Sequence, residues 1–156
     1  AQGSKSVLDR VVQLMSAKHS NVDDDTTRLV RKRAVRILSL LVCLYADGTS
    51  EPLHDKVEYI INNDQFLSRL IFLLHFEIEF VCAPNSEPTI ECLAVIREGV
   101  QLLSLVCVNP CSFHSVRHLF TSAMNHLASE KIHPALKDLA AVARALMNRC
   151  FPAQSG

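Results

Sequence analysis

Between Phe66 and Val81 the chain carries apolar residues on two sides of any helix it could form. Leu67, Leu70, Ile71, Leu74, Ile78 and Val81 fall on one face, while Phe66, Leu73, Phe76 and Phe80 fall on another. A helix patterned this way must be packed from two directions, because a single apolar stripe serves only one neighbour. That requirement excludes a lone surface helix and demands further helices on both sides. Within the same stretch, His75 to Phe80 alternates polar and apolar residues as a strand would. No second run that could pair with it occurs elsewhere, so the helical reading is the one consistent with the whole chain.

The remaining segments read as helices broken by short polar turns. Val7, Leu8, Val11, Val12, Leu14 and Met15 recur at helical spacing up to about Lys18. After the acidic stretch around Asp24 and Asp25, which favours the positive end of a helix, a long helix is expected from Thr26 to about Ala46. Asp47-Gly48-Thr49-Ser50 reads as a turn, and Pro52 begins a short helix ending at Asn62-Asn63. Asp64 then caps the two-faced helix. Pro88 opens another, interrupted by Gly99, which either admits a closely crossing neighbour or marks a bend. Asn109-Pro110 closes it. A helix containing Val116, Leu119, Phe120, Ala123 and Leu127 follows, with Ser112 as its cap. Pro134 begins the last, with Leu136, Leu139, Ala140, Ala143, Leu146 and Met147 inward.

These readings predict an all-α fold of about seven helices, in a single domain over 7–150. Residues 1–6 read as disordered or as an appended, non-native remnant and 151–156 as a disordered tail. A chain of 156 residues, 49% of them hydrophobic and only 4 of them glycine, has enough apolar material for a core without covalent staples. Helix starts near 26, 52, 64, 88, 113 and 134, several with two apolar faces, resemble the helix–turn–helix rhythm of armadillo and HEAT-like α-solenoids. No motif recurs at a fixed period, so the resemblance implies degenerate, irregular repeats. It also implies a protein–protein interaction module, such as the adaptor or scaffold domain of a larger protein.

Sixteen basic and sixteen acidic residues cancel, so no global field draws the chain to nucleic acid or to an anionic membrane. The longest apolar run, Leu40 to Ala46, is far too short to span a bilayer, which takes about 20 residues. The first residues lack the basic start and apolar stretch of a signal peptide. Six cysteines lie mostly inside apolar runs, with no CxxC, which favours free thiols in a reducing compartment, nuclear or cytoplasmic.

Local constellations are few. Arg28, Arg31, Lys32, Arg33 and Arg36 crowd one helix, with Arg28, Lys32 and Arg36 on one stripe at i, i+4 and i+8. This is the expected partner-binding surface, suited to an acidic segment; its plain alternative is a solvated face, and its rival is a nucleic-acid-binding helix. Cys107, Cys111, His114 and His118 carry the ligand types of a zinc site, but the gap between the Cys pair and the His pair is too short for a zinc finger, and no metal or other cofactor is expected. Cys111 near His114 is the sole hint of a nucleophile, and Glu77 and Glu79 point to different sides of a helix. With no Gly-rich phosphate loop, no GxSxG and no HExxH, the chain is not expected to be an enzyme. A second copy of the chain remains a possible partner beside a peptide or helix.

Overall fold

The computed structural model describes residues 10–11, 24–47, 64–106 and 115–151. Among them are five α-helices: α1 (Asp24–Asp47), α2 (Asp64–Cys82), α3 (Ile90–Val106), α4 (Arg117–Ala128) and α5 (Leu139–Cys150). A 3-10 turn, Pro134–Leu136, precedes α5. The described residues contain no strand. The chain is all-α, with five described helices in place of about seven. Of the two expected helices that are not among these five, the one at 52–61 lies outside the described residues. The one at 7–18 is described only at Arg10 and Val11, both helical, with Val11 packed against the core.

α2 answers the two-faced pattern directly. It packs against both α3 and α4. Leu67, Leu70, Ile71, Leu74, Ile78 and Val81 are buried, as are Phe66 and Leu73 on the second face, while Phe76 remains half-exposed. His75 to Phe80 is helical throughout. The other contacts run α1 to α3, α4 to α5 and α3 to α5, so α3 touches three of the described helices. Its buried residues Val95, Ile96, Val100, Leu102 and Leu103 form the middle of one continuous core.

Gly99 marks a close approach of two helices in that core. A Cβ built there would stand 2.6 Å from Leu74 Cδ2, so α2 crosses α3 over the glycine. Of the two sequence alternatives, the close crossing has a direct physical cause.

Several helix starts differ from expectation: α1 begins at Asp24, ahead of Thr26, and α4 at Arg117, beyond 113. α3 begins at Ile90, because Thr89 Oγ1 accepts the Cys92 amide at 3.1 Å and makes Thr89 the N-cap. Pro88 therefore precedes the cap instead of opening the helix. Pro134 opens the 3-10 turn and not α5: His133 Nδ1 accepts the Ala135 amide at 3.0 Å and caps that short turn. α5 follows only after Lys137 and Asp138. Ser112, the expected cap of α4, lies outside the described residues; the N-cap there is Val116, without a side-chain bond. Between α2 and α3, Asn85 takes a left-handed φ of 66°, a conformation asparagine tolerates.

Candidate functional site

The basic residues of α1 are largely engaged within the chain. Arg31 Nη1 donates to Glu77 Oε1 of α2 at 2.9 Å, and the Glu77 side chain has no solvent exposure. The Cys92 thiol of α3 donates to the other carboxylate oxygen at 3.1 Å. Glu77 thus joins three helices through its two oxygens. The Arg31 guanidinium also lies 5.4 Å from the centre of the Phe76 ring. Lys32 Nζ stands 3.3 Å from Glu91 Oε2, and Arg36 Nη1 bonds Glu98 Oε1 at 3.2 Å, both on α3. Glu91 Oε2 is buried without a hydrogen bond, so the Lys32 ammonium serves it as a point charge and not as an aligned donor. Arg33 is exposed, and Arg28 lies on the second turn of α1.

Pairing across α1 was not legible from the spacing, which places Lys32 and Arg36 on one stripe but says nothing of what faces it. A signal existed in Glu77, a carboxylate flanked at helical spacing by Leu73, Leu74 and Val81 in a run otherwise suited to burial. A buried charge needs a partner, and the nearest surplus of positive charge in the sequence is on α1.

A second polar surface lies on α4. Arg117, His118, Thr121, Ser122, Asn125 and His126 line an open groove of about 780 Å³. These residues share one face because Phe120, Ala123, Met124 and Leu127 on the other are buried against the core. The Arg117 guanidinium stacks 4.1 Å from the centre of the Phe151 ring, which meets Phe120 edge-on at 5.6 Å. Phe151, grouped by the sequence with the tail, is therefore half-buried and holds this arginine. At the opposite end of the groove, His126 Nε2 and His75 Nε2 each lie 3.3 Å from Glu79 Oε1 of α2. Beyond Glu79, Cys82 is exposed over much of its surface, yet partial burial of its thiol first and the Glu79 charge second push the thiol pKa up. Glu77 and Glu79 do point to different environments, one buried and one exposed.

Of the four zinc candidates, Cys107, Cys111 and His114 lie outside the described residues, and His118 is exposed in the α4 groove. Among the described residues no three His, Cys, Asp or Glu side chains gather as metal ligands. No helix among them is long and apolar enough to cross a membrane. Among the described residues, Cys82, Cys92 and Cys150 form no disulfide.

The junction between α3 and the 3-10 turn is fixed by another arginine. Arg97 bonds both Asp138 oxygens, at 2.6 and 2.9 Å, and the Ala135 carbonyl at 2.6 Å. The Arg97 hydrogen bonds hold the Asp138 carboxyl below the usual carboxylate range. On the same side of α3, Arg149 Nη1 donates to the Ser104 carbonyl at 3.1 Å, meeting an acceptor in the last turn of that helix.

No family model matches this chain. No curated protein and no solved structure matches it significantly.

Proposed function

We propose that the chain is a non-catalytic protein–protein interaction module, an adaptor or scaffold domain with an irregular armadillo/HEAT-like arrangement of helices. The observation that carries this reading is the order of helix contacts. Among the described helices, α2 meets α3, and α4 meets α5, as successive elements; α1 meets α3, α2 meets α4, and α3 meets α5, each passing over one described helix. That order suits two layers, α1–α3–α5 and α2–α4, as helix pairs stacked side by side would give. The α2–α4 layer then offers one outer surface carrying the half-exposed Phe72 and Phe76 and the polar groove of α4. Free thiols fit a reducing setting, nuclear or cytoplasmic.

A nucleic-acid-binding helix at 28–36 is the lesser reading, because Arg31, Lys32 and Arg36 already face carboxylates and would have to exchange them for phosphates. The test is cross-linking of the purified chain to proteins it captures, with the cross-linked positions mapped, beside titration with single-stranded and duplex oligonucleotides over a salt series. Cross-links concentrated on α2 and α4 support the module. Salt-dependent oligonucleotide binding that is lost in Arg33→Glu, without a captured protein, overturns it. Light scattering distinguishes a second copy of the chain from a foreign partner.

A further inference from the structure

We propose that the groove along α4 docks an extended, acidic segment of a partner protein, with the Arg117 guanidinium reading a carboxylate side chain. This deepens the interaction-module reading and rests on it. Three observations point to this occupant. First, the charge is one-sided: α4 contains no Asp or Glu, and from Arg117 to the C-terminus five Arg and Lys stand against two acids, in a chain that is neutral overall. Of those two acids, Asp138 is already held by Arg97. Second, among the described residues no carboxylate pairs with Arg117 or His118, whereas Arg31, Lys32 and Arg36 each have one. Third, Arg117 is held in place. Stacking on Phe151, itself set against the buried Phe120, fixes the guanidinium plane while its in-plane N–H donors remain suited to a carboxylate fork.

The rest of the groove fits a peptide main chain. Asn125 offers both a donor and an acceptor, and Thr121 and Ser122 offer hydroxyls. From Arg117 to His126 the helix rises about 13 Å, the length of roughly four extended residues. The site also has a direction. Glu79, beside His126, repels acid at one end, so the carboxylate belongs at the Arg117 and His118 end.

The test uses the purified chain and a library of eight-residue peptides in which Asp, Glu, Asn, Gln, Lys and Ser are varied at every position. The selected peptides are then measured by fluorescence anisotropy. Enrichment of Asp or Glu at one position is expected, and changing that acid to its amide weakens binding about tenfold or more, the usual worth of a charge-assisted pair. Arg117→Gln removes the same factor and abolishes the preference for acid over amide. Arg117→Lys, which keeps the charge but not the fork, restores only part of it, and Arg144→Gln, at an exposed position of α5, leaves binding unchanged. Thermal melts accompany each variant because Arg117 packs on Phe151; should Arg117→Gln melt early, His118→Gln and Asn125→Ala carry the test, each weakening binding severalfold. Absence of an acidic preference, a preference untouched by the groove variants, or tighter binding of oligothymidine than of any peptide overturns the proposal. If protein cross-links still map to α2 and α4 while no acidic preference is found, the groove assignment falls and the module reading stands. Should both fail, both are discarded.

Discussion

Glu77 is fully buried, and its two oxygens are divided between Arg31 and the Cys92 thiol. Taking two charges out of water costs several kcal/mol per ion, so such a pair secures geometry more than it adds net stability. Arg31→Met is therefore expected to destabilise the fold by about 3–5 kcal/mol in urea denaturation, by stranding a buried carboxylate. The double variant Arg31→Met with Glu77→Leu is expected to recover most of that loss. A double variant as unstable as the single one would mean that the pair itself holds α1 to α2. Sequence spacing located the basic cluster but not this pairing, because a helical period fixes which residues share a face and not what faces them. Cys82 offers a second test at this scale. Its thiol is held protonated by burial and by Glu79, and the thiolate is the reactive form. Glu79→Gln is thus expected to lower the thiol pKa and to speed iodoacetamide alkylation of Cys82 near pH 8, which peptide mass spectrometry measures; an unchanged or slower rate would contradict the electrostatic contribution.

At the scale of elements, long helices with strong apolar periodicity were legible and their junctions were not. The two faces of α2 announced two neighbours, and Gly99 announced either a close crossing or a bend. The crossing with Leu74 is what the helices make of it. Replacing Gly99 by Ala gains about 1 kcal/mol of helix propensity while pushing the Leu74 methyl aside, so the two effects roughly cancel. Gly99→Val adds bulk that Leu74 cannot evade and is expected to cost about 1–3 kcal/mol. Combined with Leu74→Ala, it should cost less than the sum of the two single changes by about 1 kcal/mol, whereas simple additivity would show that the strain is absorbed elsewhere. Pro134 and Pro88 misled because proline fixes φ without deciding whether a 3-10 turn, a cap or an α-helix follows; Thr89 and His133 decide it with their own side-chain acceptors. The Arg97–Asp138 junction has a pH signature with a definite sign. The Asp138 carboxyl is depressed in the fold, so its contribution is complete above the ordinary aspartate pKa of about 4 and is lost as pH falls through the lower folded value. Asp138→Asn is expected to be less stable than the unaltered chain at pH 7, with the gap closing below about pH 4 in parallel melts. A gap that widens in acid would reverse the sign.

Over the whole molecule, the order of helix contacts bears on how the chain loses its structure. In a compact bundle every helix shares one core, and damage at one end spreads to all. Stacked layers behave differently, since each helix owes its stability to its sequence neighbour and to the helix one beyond it. α5 is placed to distinguish the two, because it meets α4 and α3 and makes no comparable contact with α1 or α2. Its inward residue Leu146 has no exposed surface, and Leu146→Ala is expected to cost about 2–5 kcal/mol locally. Amide hydrogen exchange under native conditions then reads out where that loss is felt. If the layers are stacked as proposed, protection falls most in α4 and α5, partly in α3 through their shared contact, and least in α1 and α2. Equal loss of protection in all five described helices would mean a single cooperative core, and the irregular repeat arrangement would have to be abandoned in favour of a bundle. The neutral overall charge is silent on this choice, but the excess of basic residues beyond Arg117 sets a condition on the variant. Leu146→Ala leaves that charge untouched, so a change in exchange reports packing alone and not altered repulsion at the basic end of the molecule.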